Sequence, residues 1–214
     1  MPSHRFGSIE MSQQTAKEEA IRRAQARLAG VDWTARLPRL GLPAVLDGVL
    51  TVRAFGADVE VRLADWTMLN RRTGKPAGLN DRILILHYLT CDLPVPAPGT
   101  DAADWIPFRE LSGGAFYLEP FLARTARPLA ARIGNDLGKL EANLTQRFDL
   151  EKVALGDFGA RIHGLGNLYL TLNYSLGDAE FPPACDVLFS AGVKRVYGAD
   201  DAAAFASRIC LGLL

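Results

Sequence analysis

The chain of 214 residues carries 24 Lys plus Arg against 24 Asp plus Glu, so it has no broad field to steer nucleic acid or an anionic membrane. Its 49% hydrophobic and 22% charged content is that of an ordinary globular protein, long enough to bury a core without metals or disulfides. The three cysteines, Cys91, Cys185 and Cys210, form no CxxC pair, which excludes a zinc ribbon or a cysteine-only iron–sulfur cluster and fits reduced, buried thiols in the cytoplasm.

Residues 1–12 read as a flexible N-terminal extension and residues 13–214 as a single domain. The N-terminal segment has no long apolar run, and Ile83 to Leu86 is too short to cross a bilayer, so neither a signal peptide nor a membrane span is expected. Thr15 and Glu18 have capping-box spacing, which predicts a helix over 16–28 closed by Gly30. Ala20, Ile21, Ala24 and Leu28 form its apolar stripe, with Arg22, Arg23 and Arg27 on the wet side. Pro38 and Pro43 bracket a connector without helix. Two strands follow, over 49–55 and 59–63; in the second, Val59, Val61 and Leu63 alternate with Glu60 and Arg62. Residues 70–79, with Arg71, Arg72 and Lys75, read as a basic loop. A helix over 81–90, capped by Asn80, is apolar nearly all round and belongs in the core.

Pro94 to Thr100 reads as a rigid extended link. The next expected helix spans 116–132, interrupted by Pro128, and another spans 136–148. Leu168, Leu170 and Leu172 alternate with Tyr169, Thr171 and Asn173 in the second of two late strands, with Gly164 to Asn167 as the turn between them. "DVLF" is a further strand, and a C-terminal helix is capped by Asp200. This order predicts an α+β fold, a mainly antiparallel sheet packed against several helices in one compact domain.

No motif in the chain specifies a reaction: there is no phosphate loop, no HExxH and no nucleophile elbow. "GLGN" lies between strands, where a dinucleotide fingerprint cannot work. His87 and Cys91 share a helix face and could join His163 and Cys185 around a soft metal, but their apolar neighbours favour a buried histidine with one partner; no metal site is assigned and any cofactor is unknown.

Two constrained strings stand out. In "DWIPFRELSGGAFYLEPF", Gly113 and Gly114 free backbone N–H groups just before a helix, with Arg109 as a fork-shaped donor to an anion and Glu110 beside it. Trp105, Phe108, Phe116 and Tyr117 would wall such a site. The same residues also make a turn whose aromatics enter the core, and fold-defining turns outnumber ligand cradles. In "GDAEFPP", Asp178 and Glu180 precede a rigid diproline and offer a partner for arginine, a cation ligand or an acid–base pair.

"LILHYL", "WIPFRELSGGAFY", Phe121, Arg124, Pro128-Leu129, "GDAEFPPACDVLF" and "DDAAAFASRICLGLL" together resemble the domain-of-unknown-function family three-seven-eight-six, found mainly in anaerobic bacteria and archaea. The resemblance runs from about Leu40 to the C-terminus. It implies a soluble domain of unknown activity, with no established catalytic residues to carry over. Some relatives carry an added cysteine-rich cluster module, which this chain lacks.

The leading expectation is therefore a cytoplasmic ligand-binding or accessory domain of anaerobic metabolism. Its small anionic ligand would sit between the 105–117 segment and the 177–183 turn, touching Trp105, Arg109, Glu110, Gly113, Gly114, Tyr117, Asp178 and Glu180. The alternatives are an interaction module for a corrinoid or iron–sulfur redox partner, which would show an exposed apolar patch, and a hydrolase-like enzyme using Asp178 or Glu180. Neither nucleic acid nor membrane is an expected partner.

Overall fold

Burial alternates residue by residue along β1 (Val49–Ala54), with Leu50, Val52 and Ala54 inside and Val49, Thr51 and Arg53 facing out, as a pleated strand with one packed face requires. β1 turns into β2 (Ala57–Arg62) through Phe55 and Gly56, both at positive φ (50° and 77°), the backbone of a tight two-residue hairpin. Gly56 is needed twice over, because a Cβ there would lie 1.8 Å from the carbonyl oxygen of Arg147. The structure is a computed structural model that describes residues 3–97, 99 and 105–214.

The remaining strands are β3 (Met68–Asn70), β4 (Ile106–Pro107), β5 (Leu150–Val153), β6 (Phe158–Leu165), β7 (Leu168–Ser175) and β8 (Ala184–Phe189). They form one eight-stranded antiparallel sheet in the order β3-β2-β1-β6-β7-β8-β4, with β5 joined to β6 off that path. One edge of β6 is therefore shared. β5 pairs with it over Gly159–Ile162, and β1 meets it only at Leu165. Between those contacts the β6–β7 register shifts, at His163/Leu165. The sheet forks there, and polar side chains gather in the fork.

The helices are α1 (Ser3–Leu28), α2 (Trp33–Arg39), α3 (Leu79–Leu89), α4 (Leu118–Arg124), α5 (Ala126–Ile133), α6 (Leu137–Arg147), α7 (Val193–Val196) and α8 (Ala199–Gly212). α8 buries Ala202, Phe205, Ala206 and Ile209. The Phe205 ring lies against Gly164, where a Cβ would come within 2.1 Å of its Cζ. α3 is tied to the C-terminal part of the chain by His87–Asp201 (2.7 Å), Asp81–Arg208 (2.9 Å) and the Tyr197 hydroxyl, which donates to the Leu84 carbonyl oxygen at 2.8 Å. Phe108 and Phe121 stack with centroids 4.0 Å apart, and Phe189 tilts against both.

The α+β class and the antiparallel sheet agree with the sequence reading, and several local details do not. Thr15 does not start a helix: α1 already runs from Ser3, and the Thr15 hydroxyl donates to the Met11 carbonyl oxygen four residues back, as a mid-helix threonine does. The stretch expected to be a loose extension is thus continuous with that helix from Ser3; Met1 and Pro2 lie outside the described residues. Pro38 lies inside α2, whose start is capped by the Asp32 carboxylate accepting from Thr34 and Ala35. The 116–132 helix is two helices, broken at Thr125 rather than at Pro128, which sits in the first turn of α5. Gly78 and Gly198, not Asn80 and Asp200, hold the N-cap positions of α3 and α8. β3, β4, β5 and α7 carry too few residues for periodicity to reveal. Of the Pro94–Thr100 link, residues 98 and 100 lie outside the described residues.

Candidate functional site

The Arg109 string divides between core and surface. Phe108 is buried in the aromatic stack, Arg109 and Glu110 are exposed in a 3-10 turn (Phe108–Glu110), and Glu110 is 3.7 Å from Lys194. Gly114 is there for close approach: a Cβ would lie 1.9 Å from the Phe108 carbonyl oxygen, whereas Gly113 takes φ 80° and has room around it. Phe116 is 92% exposed, and Trp105 and Tyr117 about half exposed at 48% and 49%, so these aromatics form a surface rather than pocket walls.

The 177–183 string is a self-capped bend. Asp178 accepts from the backbone N–H groups of Glu180 and Phe181, both at 2.8 Å, and those bonds, Phe181 first, hold its carboxyl below the usual carboxylate range. Gly177 exchanges two hydrogen bonds with the Asn135 amide, at 2.8 and 2.9 Å. A cavity of about 420 Å³ lies between this bend and Gly134–Asn135. A second, of about 370 Å³ and mainly apolar, lies between Pro182–Cys185 and the α4–α5 residues Leu122, Ala126 and Ala130. Neither is lined by a residue of the 105–117 segment.

A polar set of converging side chains sits at the sheet fork. A cavity of about 360 Å³ is lined by Arg53 of β1, Asp149, Leu150 and Glu151 at β5, Arg161 and His163 of β6, and Tyr169 of β7. Strand geometry puts them together. Arg161 and His163 alternate with the fully buried Ala160 and Ile162, so they project from the face opposite the helix-covered core. Tyr169 is directly across from His163, and Glu151 from Arg161. Arg53 closes the fork, chelating Asp149 at 2.7 and 2.9 Å and reaching Asp58 at 3.2 Å.

Arg161 donates to Glu151 at 2.5 Å and lies over the Tyr169 ring, 5.7 Å from its centroid; the His163 ring meets the same tyrosine edge-on at 5.0 Å. His163 Nε2 is 2.8 Å from the Gly166 carbonyl oxygen. A carbonyl only accepts, so Nε2 carries the proton. Burial lowers the imidazole pKa, against smaller opposing pulls from Gly166 and Asp149, which leaves a neutral ring whose Nδ1 is a bare acceptor. Both His163 Nδ1 and Arg161 Nε are buried without a hydrogen-bond partner among the described residues. Burial likewise raises the Tyr169 phenol, and the Arg53 bond lowers Asp149.

Sequence reasoning weighed His163 only as a metal ligand. The polar R-I-H alternation on an otherwise apolar strand was the available signal; the pairing of Arg53 with Asp149, far away in sequence, was not. His87 is instead held by Asp201, and the Cys91 thiol faces the carbonyl oxygens of Leu93 and Arg195. Among the described residues, no three His, Cys, Asp or Glu side chains come together as metal ligands. No described helix is long and apolar enough to cross a membrane.

The family model described as Domain of unknown function (DUF3786) matches residues 32–211, which cover every strand of the sheet and all the residues of the fork. The chain belongs to this family. DUF3786 membership carries no assigned activity, so the chemistry of the site rests on its own residues. No curated protein and no solved structure matches the chain.

Proposed function

We propose that this chain is a small-molecule-binding domain and that its ligand is an acid held at the sheet fork. The observation that carries this reading is the cavity itself, where Arg53, Arg161, His163 and Tyr169 converge and the Arg161 guanidinium lies over the Tyr169 ring. Arg161 is placed to donate to a carboxylate or similar oxyanion. A reducing, cytoplasmic setting in an anaerobe is supported by the family resemblance and by the three free, buried cysteines. The test is calorimetric titration of the wild type and Arg161→Gln with small carboxylates and inorganic phosphate. Binding by the wild type and at least tenfold weaker binding by Arg161→Gln supports the reading; no binding of any anion by the wild type ends it.

A second reading, a protein-interaction module for a redox partner, is favoured by the exposed aromatics Trp105, Phe116, Tyr117 and Phe181, the last 66% exposed. Its test is anaerobic copurification followed by Phe116→Ser: a partner lost with this substitution supports it, and a chain that returns alone counts against it.

A further inference from the structure

We infer that an acid enters the fork by exchange: its carboxylate takes the place of the Glu151 carboxylate on Arg161. Glu151 is then a built-in competitor that sets the affinity and favours a singly charged acid. This rests on the acid-binding reading and adds to it the gate of the site and the charge class of its ligand.

The charges of the fork require exchange. Arg53 is shared by Asp149 and Asp58, and Arg161 is paired with Glu151, so two guanidiniums meet three carboxylates and one negative charge is left over. An anion simply added to that set meets net repulsion. An anion that replaces one carboxylate leaves the charge beside the arginines as it was.

Of the two arginines, Arg161 is the one whose partner can leave. Arg53 is bound by both oxygens of Asp149, at 2.7 and 2.9 Å, and by Asp58 at 3.2 Å, so three bonds hold it. Among the described residues Arg161 has one carboxylate bond, from Nη2 to Glu151 at 2.5 Å. Glu151 and Arg161 stand directly opposite each other across β5 and β6, yet they are unequally fixed. The arginine side chain is 23% exposed, lies over Tyr169 and is backed by Gly99, where a Cβ would come 3.3 Å from Nη1. The glutamate side chain is 64% exposed. A long, exposed side chain held in one geometry gains little from its ion pair, so the glutamate is the partner that yields. The seat it vacates is open to solvent, because an exposed carboxylate occupies it now.

The experiment is calorimetric titration of the full chain with acetate and with malonate, in the wild type, Glu151→Ala and Asp58→Asn. In parallel, the ¹³C resonance of the Glu151 carboxyl is followed in the wild type. Glu151→Ala should tighten acetate about fivefold, the upper worth of an exposed ion pair. Asp58→Asn removes the same charge but leaves Arg161 paired and Arg53 chelated by Asp149, so it should change acetate affinity by less than about twofold. Malonate, whose second carboxylate has nothing to displace, should bind no tighter than acetate, and the Glu151 resonance should shift as acetate saturates the wild type. Equal tightening by the two substitutions, no tightening by Glu151→Ala, tighter binding of malonate, or an unmoved Glu151 resonance overturns the inference and leaves acid binding standing. Failure of all three proteins to bind either acid overturns both. The resonance is read on the wild type, so poor folding of a variant would not shelter the inference.

Discussion

His163 Nε2 and the Gly166 carbonyl oxygen are joined at 2.8 Å across the tight end of the β6–β7 hairpin, so a backbone group decides which imidazole nitrogen is bare. Gly166 can present that carbonyl because it takes φ 54°, and its missing side chain leaves room for the Tyr88 phenol, whose oxygen would be 2.4 Å from a Cβ. The same phenol accepts from the Asn167 backbone N–H at 2.9 Å and donates to the Leu40 carbonyl oxygen. Position and protonation of the histidine are thus set by a packed hairpin rather than by a mobile loop.

Acid sensitivity follows from that arrangement. Burial, the largest cause, puts the folded-state pKa of His163 below its ordinary value, while Asp149 pulls it up and Arg53 pushes it down. A group depressed in the folded state stabilises the fold fully above its unfolded value, about 6.5, and that contribution is lost as pH falls through the folded value. Urea midpoints of the wild type should therefore drop between about pH 7 and pH 5, and His163→Phe should flatten part of that drop. Parallel curves for the two proteins would remove His163 from the account.

Arg161 and Arg109 separate the two possible homes for an anion. Arg161→Gln should weaken carboxylate binding at least tenfold, whereas exposed Arg109→Ala should alter neither binding nor stability beyond about 0.5 kcal/mol. Loss of binding in Arg109→Ala with Arg161→Gln unaffected would move the site to the 105–117 segment.

Gly164 is a packing requirement. Gly164→Ala drives a methyl into the Phe205 ring and should cost about 1–3 kcal/mol in urea unfolding. Phe205→Leu made in the same chain should recover part of that loss, a coupling that two independent defects would not show.

The paired phenylalanines of the central string should behave in opposite ways. Phe121→Ala removes a buried ring stacked on Phe108 and should cost about 3–5 kcal/mol. Phe116→Ala, 92% exposed, should stay within about 0.5 kcal/mol. A thermal or urea series on these two variants is enough to check both.

Much of the core was readable because it is periodic. Leu168, Leu170 and Leu172 alternate with Tyr169, Thr171 and Asn173, and the structure buries the leucines completely. The apolar α3 was likewise legible as a core helix, and Asp136 stands at the start of α6 with its carboxylate on the Lys139 N–H. Short elements escaped: two residues of β4 and four of β5 cannot display a period, though β5 builds half of the fork. Thr15 misled because a mid-helix threonine and a capping threonine have the same local sequence, and only the preceding turn tells them apart.

From the chain alone came the class of fold, the composition of its core and the family to which it belongs, since these depend on local spacing and on strings of neighbouring residues. Which polar residues meet was decided by tertiary structure alone. Arg53, Asp149, Arg161 and Tyr169 converge because an eight-stranded sheet changes partners beside His163, and no local pattern encodes the neighbour a strand will choose. Strand pairing is long-range, and its energy is spread over many buried contacts, so the fork exists only once the whole sheet has closed.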